Sequence, residues 1–192
     1  MPIPLITLPD RPTILVVDDE PDIRTLTKLS LKGLTYEGRK ARFLMASSGE
    51  EAVAALRAQP EIAVILLDVV MESDSAGLDA CQTIREELGN QLVRILLRTG
   101  QPGSAPERET IDRYDIDGYL AKTELTATRL YSSVRTALKA WNELVELDRH
   151  RRYLTAIHDC AVSVHSFDPL QESLEAILET ALSICPTALA VL

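Results

Sequence analysis

The sequence predicts an α/β fold in which five strands form a doubly wound parallel sheet. The first observation is a set of short apolar runs that are typical of strands: 13–17, 42–46, 62–67, 92–97 and 117–121. The second is that amphipathic stretches with helical spacing separate these runs: 21–32, 49–58, 78–88 and 106–114. Strand and helix therefore alternate along the chain, which is typical of a parallel sheet with helices on both faces.

Three of the strand runs are apolar at almost every position. Residues 14–17 read Ile-Leu-Val-Val, residues 63–67 read Ala-Val-Ile-Leu-Leu, and residues 93–97 read Val-Arg-Ile-Leu-Leu. Strands that are buried on both faces have this composition. The first helix is expected to begin at Pro21, because proline is favoured at the first helical position and acidic residues are favoured around it.

Acidic residues directly follow two of these strands. Asp18 and Asp19 come after the first run, and Asp68 comes after the third. In a doubly wound sheet the carboxyl ends of the strands line one crevice, where these carboxylates can meet. Because carboxylates in one crevice repel each other, we expect them to bind a hard divalent cation such as Mg²⁺. The acidic run before Pro21 is also typical of an ordinary helix start, and both interpretations stay open.

A hydroxyl and an ammonium follow the next two strands. Thr99 comes after the fourth run, and Lys122 comes after the fifth. A phosphoryl group on Asp68 would carry three oxygens, so that the cation can bind one, Lys122 a second and Thr99 the third. The pattern therefore predicts a site that holds a phosphorylated aspartate.

In this order the residues resemble the receiver domain of bacterial two-component response regulators, over about residues 13 to 123. The resemblance implies a flavodoxin-like sheet with the strand order 2-1-3-4-5. It implies that Asp68 accepts a phosphoryl group from a sensor histidine kinase. It also implies that Asp18, Asp19 and Asp68 bind Mg²⁺ as the cofactor of this reaction.

The same resemblance gives roles to three further residues. It implies that Thr99 is the switch hydroxyl, that Tyr119 is the switch aromatic, and that Lys122 contacts the phosphoryl group. On phosphorylation Thr99 would move toward the phosphoryl group, and Tyr119 would turn inward. The predicted result is a changed surface around the fifth strand and the helix that follows it.

Two positions depart from the family pattern. Glu72 stands where the family usually has proline, and it is expected either to be solvated or to approach the metal. Thr123 stands where proline normally follows the lysine. That bond is usually cis, which costs about 0.5 to 1 kcal/mol before proline but about 2.5 to 4 kcal/mol before another residue. Either the bond after Lys122 is trans and Lys122 is placed differently, or the fold absorbs the strain.

The composition indicates a cytoplasmic protein. Of its 192 residues, 20 are basic and 29 are acidic, and the formal net charge of −9 argues against a nucleic-acid-binding face. No run is typical of a signal peptide or a membrane span, so no membrane association is expected. The three cysteines lack metal-ligand spacing and are typical of reduced thiols.

A long helix is predicted beyond the receiver region. Residues 124–164 contain no proline and no glycine. Their apolar residues follow a broken heptad: Leu130, Val134, Ala137, Trp141 and Leu144, then Leu154, Ile157, Ala161 and Val164. This pattern predicts a coiled coil, and hence a homodimer through residues 124–166. The alternative is that the first half packs on the sheet as the last receiver helix and the second half packs on another domain.

Residues 167–192 are predicted to begin a second domain. Asp168 and Pro169 are typical of a helix start, the helix is expected to end near Ile184, and residues 187–192 are expected to form a strand. This order resembles the opening of a GAF-like sensory domain. The predicted organisation is an extended N-terminal tail (1–12), a receiver domain (13–123), the last receiver helix continuing as a signalling or coiled-coil helix (124–166) and the start of a truncated GAF-like domain (167–192).

The predicted function is a phosphorylation-controlled switch that is not itself an enzyme. Residues 96–103 and 121–126 resemble a subgroup of regulators whose later domains make or degrade cyclic di-GMP, an output that would lie outside this chain. One alternative is a phosphorylation-independent pseudo-receiver that docks or dimerises. The other is a phosphatase with an aspartyl nucleophile, but that family needs Asp-x-Asp after the first strand, where this chain has Asp18-Asp19-Glu20.

Overall fold

The computed structural model describes residues 11–100, 113–122, 126–165 and 174–180, with the backbone alone for 163–165. The chain divides into two compact units, residues 1–145 and residues 146–192. The first unit contains the predicted sheet. In the second unit, residues 174–180 are helical, and the remainder of the predicted GAF-like segment lies outside the described residues.

The first unit is built on one parallel sheet and one small hairpin. In chain order the strands are β1 Thr13–Val17, β2 Thr35–Tyr36, β3 Arg39–Lys40, β4 Arg42–Ala46, β5 Val64–Asp68, β6 Arg94–Thr99 and β7 Gly118–Ala121. The sheet has the order β4-β1-β5-β6-β7, and all its neighbouring strands are parallel. Counted over the sheet strands alone this is 2-1-3-4-5, so the predicted flavodoxin-like fold is confirmed.

The hairpin of β2 and β3 was not predicted. Its two strands pair antiparallel, and the turn between them contains Glu37 and Gly38 with φ angles of 50° and 76°. Positive φ costs glycine little, which explains why the chain turns at Gly38. Strands of two residues carry no readable alternation of apolar and polar side chains, so the sequence pattern does not reveal them.

Besides the helical residues 113–114 and 174–180, the described residues contain four α-helices. They are α1 Pro21–Ser30, α2 Gly49–Ala58, α3 Ala76–Gln82 and α4 Ala127–His165. The start of α2 is fixed by Ser48, whose Oγ accepts a hydrogen bond of 3.1 Å from the backbone N–H of Glu51. The predicted helix 78–88 is α3 followed by a π-helical turn, Thr83–Glu87. The predicted helix 106–114 lies mostly outside the described residues.

Two apolar cores cover the two faces of the sheet. The first core packs the first half of α4, with Leu31 at the end of α1, on one face, and the second core packs α2 and α3 on the other. Successive residues of a strand point to opposite faces, so Ile14 and Val16 enter the first core while Leu15 and Val17 enter the second. Burial on both faces accounts for the continuous apolar runs of the sequence.

The first half of α4 is the last helix of the sheet unit. The apolar stripe predicted as a coiled-coil seam is buried here in the chain's own first core: Leu130, Val134, Ala137 and Trp141. These side chains cannot form a seam with a second copy while they pack on the sheet. The prediction of a coiled coil through this half is therefore wrong, because a stripe facing a sheet and a stripe facing a helix have the same spacing.

The cysteines of the described residues are free thiols. Cys81 is buried in the second core, and burial raises the pKa of its thiol to about 12, so that it stays protonated and unreactive. Cys160 on α4 is half-buried. Within the described residues no helix combines the length and the apolar character that a membrane crossing requires.

Candidate functional site

Polar side chains gather at the carboxyl edge of the sheet. Asp18 follows β1, Asp68 is the last residue of β5, Thr99 is the last residue of β6, and Lys122 follows β7. The parallel register sets Asp68 directly beside Arg98 on the neighbouring strand. Side chains at paired positions of adjacent strands point to the same face, so the sheet itself brings Asp68 and Arg98 together.

Asp68 and Lys122 form an ion pair at this edge. The Asp68 side chain is almost fully buried, and its Oδ2 lies 2.7 Å from the Nζ of Lys122. Its Oδ1 accepts a hydrogen bond of 3.0 Å from the backbone N–H of Val69. Burial raises the pKa of the Asp68 carboxyl, and the ammonium of Lys122 opposes this shift. The carboxylate is thus held at the crevice next to a charge that favours its ionised form.

Lys122 contacts a second carboxylate as well. Its Nζ lies 3.3 Å from Oδ2 of Asp18. Burial lowers the pKa of Lys122, but the contacts with Asp68 and Asp18 outweigh burial, and the net shift is upward. The side chain is therefore an ammonium at neutral pH. The bond that follows Lys122 involves Thr123, which lies outside the described residues.

Three acidic side chains form a cluster at the end of β1. Carboxylate oxygens of Asp18, Asp19 and Glu20 lie within 4.8 Å of one another, with Asp18 buried and the other two exposed. Carboxylate oxygens beside solvent suit Mg²⁺, which keeps several waters as ligands. Asp68 is not part of this group. The helix-start interpretation also holds, because α1 begins at Pro21, although the Glu20 side chain makes no capping hydrogen bond.

The sequence analysis missed one member of the site, Arg98. This side chain is 2% exposed, and its Nη2 lies 2.7 Å from Oδ2 of Asp18. Its Nη1 donates a hydrogen bond of 2.7 Å to Oγ1 of Thr27 on α1. Burial lowers the pKa of Arg98, while Asp18 and Asp68 oppose this. The available signal is a cation that directly follows the apolar run Ile95–Leu97, in the last-but-one position of β6.

The two predicted switch residues lie on neighbouring strands. Thr99 is 2% exposed at the end of β6, and it pairs in register with Ala121 of β7. Tyr119 is half-buried and packs against the second core. Both residues lie on the strands that border Asp68 and Lys122, as their predicted roles require. Their movement on phosphorylation stays a prediction.

The loop after Asp68 is anchored to the fold at two points. Glu72 Oε1 accepts a hydrogen bond of 3.0 Å from the backbone N–H of Gly49, the first residue of α2. A carboxylate at a helix N-terminus is favourable, so Glu72 stabilises α2 and is not simply solvated. Gly77 donates a hydrogen bond of 3.0 Å to the carbonyl of Val69. A Cβ on Gly77 would lie 2.1 Å from the carbonyl oxygen of Asp68, so this close approach requires glycine.

The charges of the site leave it acidic. Its four carboxylates, Asp18, Asp19, Glu20 and Asp68, outnumber the three cations Lys122, Arg98 and Arg24, and the formal charge is −1. Arg24 contacts the site through the backbone carbonyls of Asp18 and Asp19. The Asp68 carboxylate, the Lys122 ammonium and the carboxylate cluster lie at one edge. This arrangement can bind a divalent cation and a phosphoryl group side by side.

The comparisons with known proteins agree with this geometry. The family model for the response regulator receiver domain matches residues 14–135. The chain is 37% identical over 171 residues to 3'3'-cGAMP-specific phosphodiesterase 2 of Vibrio cholerae serotype O1, covering 89% of this chain and 33% of that protein. It is 38% identical over 90 residues to a probable transcriptional regulatory protein, TcrX, of Mycobacterium tuberculosis. That match covers 46% of this chain and 34% of that protein. The chain thus spans about a third of the length of these relatives.

A solved structure shares the fold. A response regulator receiver domain protein from Clostridium thermocellum superposes with a TM-score of 0.57 at 24% sequence identity. The match covers 69% of this chain and 98% of the other. The shared part is therefore the complete fold of that protein.

Proposed function

This chain belongs to the family of response regulator receiver domains of two-component signalling, and we propose that Asp68 is its phosphoryl acceptor. The observation that carries the proposal is the pairing of the buried Asp68 carboxylate with Lys122 at 2.7 Å, beside an acidic cluster. This pairing weighs against a phosphorylation-independent docking module, which would need neither the ammonium nor the cluster.

The proposed reaction is phosphoryl transfer from a histidine kinase. A carboxylate oxygen of Asp68 attacks the phosphorus of a phosphohistidine, the phosphorus–nitrogen bond breaks, and the imidazole leaves with the electron pair. Asp18 and Asp19, with Asp68, would hold Mg²⁺, which supplies positive charge against the phosphoryl oxygens. Lys122 keeps the carboxylate ionised before the transfer and pairs with a phosphoryl oxygen after it.

The proposed signal then passes along β6 and β7. Thr99 moves toward the phosphoryl group on Asp68, and Tyr119 occupies the space that this movement frees. These two strands border the first half of α4, whose Leu130 and Val134 pack in the first core. The bistable element of the switch is therefore the packing of α4 on the sheet.

The second half of α4 is the proposed homodimer surface. Leu147, Leu154 and Ile157 are large apolar side chains that are each more than half exposed. The first two are one heptad apart, and Ile157 follows after three residues, so the three lie on one side of the helix. A second copy that presents the same stripe would bury them.

The proposed output is the hydrolysis of a cyclic dinucleotide by a later domain. The support is the phosphodiesterase of Vibrio cholerae, whose match of 171 residues extends beyond the receiver region of this chain. The measurement is cyclic di-GMP and 3'3'-cGAMP hydrolysis by the full-length product of the encoding gene, with and without acetyl phosphate. If neither nucleotide were hydrolysed, with or without acetyl phosphate, this proposed output would be contradicted.

Incubation with acetyl phosphate and Mg²⁺ is expected to add one phosphoryl group to the wild-type protein and none to Asp68→Asn. The amide of asparagine has no anionic oxygen to attack phosphorus, which explains the expected complete loss. The measurement is the intact mass of each protein. The same samples in sedimentation velocity test whether phosphorylation changes the monomer–dimer equilibrium.

Asp74→Asn is the matched control for this experiment. Asp74 lies exposed in the loop after Asp68, so the same substitution there is expected to leave phosphorylation unchanged. Phosphorylation of Asp68→Asn at the wild-type level would place the acceptor elsewhere. A folded wild-type protein that gains no phosphoryl group would instead favour the docking module.

A further inference from the structure

Arg98 places a buried cation inside the proposed metal site. Its guanidinium reaches from β6 past the end of β5 to Asp18 at the end of β1, where Nη2 lies 2.7 Å from Oδ2. A second hydrogen bond ties it to Thr27 on α1. Both Asp18 and Thr27 are buried, so solvent does not screen this contact. The electrostatic attraction between the guanidinium and the Asp18 carboxylate is therefore only weakly screened.

The acceptor oxygens of Asp18 are already in use. Oδ2 contacts both Arg98 and Lys122, and Oδ1 accepts a hydrogen bond of 3.0 Å from the backbone N–H of Glu20. A divalent cation that binds Asp18 must share these oxygens with two fixed positive charges. Like charges on one buried carboxylate repel each other, so Arg98 and the cation oppose each other there.

The guanidinium itself is incompletely bonded. Among the described residues, the buried Nε of Arg98 has no hydrogen-bond partner. The guanidinium is thus held by contacts at Nη1 and Nη2, to Thr27 and Asp18. The guanidinium can shift when another cation binds the carboxylate of Asp18 and weakens its ion pair with Arg98.

We infer that Arg98 is a positioning residue that competes with the divalent cation for Asp18 and so sets the cation affinity of the site. The inference rests on the proposed magnesium site. A cation bound to Asp18 weakens the ion pair between Asp18 and Arg98. Because Arg98 immediately precedes Thr99, this also changes how the end of β6 is anchored. Cation binding and the position of the switch hydroxyl are therefore coupled through one side chain.

The experiment is isothermal titration of the purified protein with Mg²⁺ in the absence of any phosphoryl donor. Arg98→Met keeps an unbranched side-chain stem but removes the guanidinium and its charge, and it is expected to bind Mg²⁺ at least threefold more tightly than the wild type. A purely structural role for Arg98 predicts the opposite, because loss of a structural contact would loosen the ligands and weaken binding. The direction of the change therefore separates the two roles.

Further variants keep the test decisive. Arg98→Gln is a second uncharged variant, and its side-chain amide can still donate hydrogen bonds. It is the variant to use if Arg98→Met does not fold. It is also expected to bind Mg²⁺ more tightly than the wild type. Arg57→Met removes an exposed arginine of α2 and controls for net charge, so its affinity is expected to equal that of the wild type. Thr27→Val removes one contact of Arg98 but no charge, and its affinity is expected to change less than twofold.

The outcomes are distinguishable. Tighter Mg²⁺ binding in the folded Arg98 variants, with unchanged binding in Arg57→Met, supports the inference. Equal or weaker binding in the Arg98 variants of a protein that binds Mg²⁺ overturns the role of Arg98 and leaves the magnesium site standing. No binding in any form overturns the magnesium site, and the inference falls with it.

Discussion

Gly77→Ala is expected to destabilise the protein by about 1–3 kcal/mol and to slow phosphorylation of Asp68. The added Cβ would lie 2.1 Å from the carbonyl oxygen of Asp68 and 2.9 Å from Cα of Val69, both of them backbone atoms that cannot rotate away. In an ordinary helix the same change stabilises by about 1 kcal/mol, so the clash must exceed that gain. The measurement is urea unfolding, with the rate of labelling by acetyl phosphate.

Gly100→Ala is the matched control for this substitution. It lies next to Thr99 at the same edge of the sheet, but among the described residues a Cβ there would meet no atom within 4 Å. Its stability is expected to stay within about 0.5 kcal/mol of the wild type. A Gly77→Ala protein with wild-type stability and labelling would show that the loop after Asp68 adapts, and would remove the argument that glycine is required there.

Arg85→Met is expected to cost about 3 kcal/mol of stability. The Arg85 side chain is 6% exposed and donates hydrogen bonds to the backbone carbonyls of Asn90, Val93 and Asp115. Each buried carbonyl that loses its donor costs about 1–3 kcal/mol, although some will find water after the change. The side chain therefore fastens the π-helical turn to the segments that precede β6 and β7. Chemical denaturation monitored by circular dichroism measures the loss.

The control uses the same substitution at an exposed ion pair. Arg57 and Glu87 lie 3.8 Å apart, and both side chains are more than half exposed. Exposed pairs contribute about 0–1 kcal/mol, so Arg57→Met is expected to be almost neutral. If the two variants lost equal stability, the buried carbonyl network would not be the source of the effect.

The sequence predicts the sheet well because its signal is local. Strands buried on both faces must be apolar throughout, and runs such as Val64 to Leu67 show this directly. The sites at the strand ends follow from the topology, so the meeting of Asp68 and Lys122 needs only the strand order. The hairpin at Gly38 was missed because two-residue strands have no periodicity.

The remaining errors come from contacts between distant parts of the chain. Arg98 reaches Asp18 across 80 positions, and nothing near either residue in the sequence marks the pair. Glu72 binds the N-terminus of α2, a role that depends on how the loop after Asp68 folds back. The stripe at Leu130 and Trp141 packs on the sheet, although its spacing suits a partner helix equally well. Tertiary packing decides each of these cases.

The burial of Trp141 gives the protein an internal optical reporter. It is the only tryptophan of the chain, it is 3% exposed, and it lies in the first core where α4 packs on the sheet. Its indole ring packs among the apolar side chains of this core, which gives the fluorophore an apolar setting. The tryptophan emission spectrum of the unlabelled protein therefore reports one event, the packing of α4 on the sheet. No second tryptophan contributes to this emission.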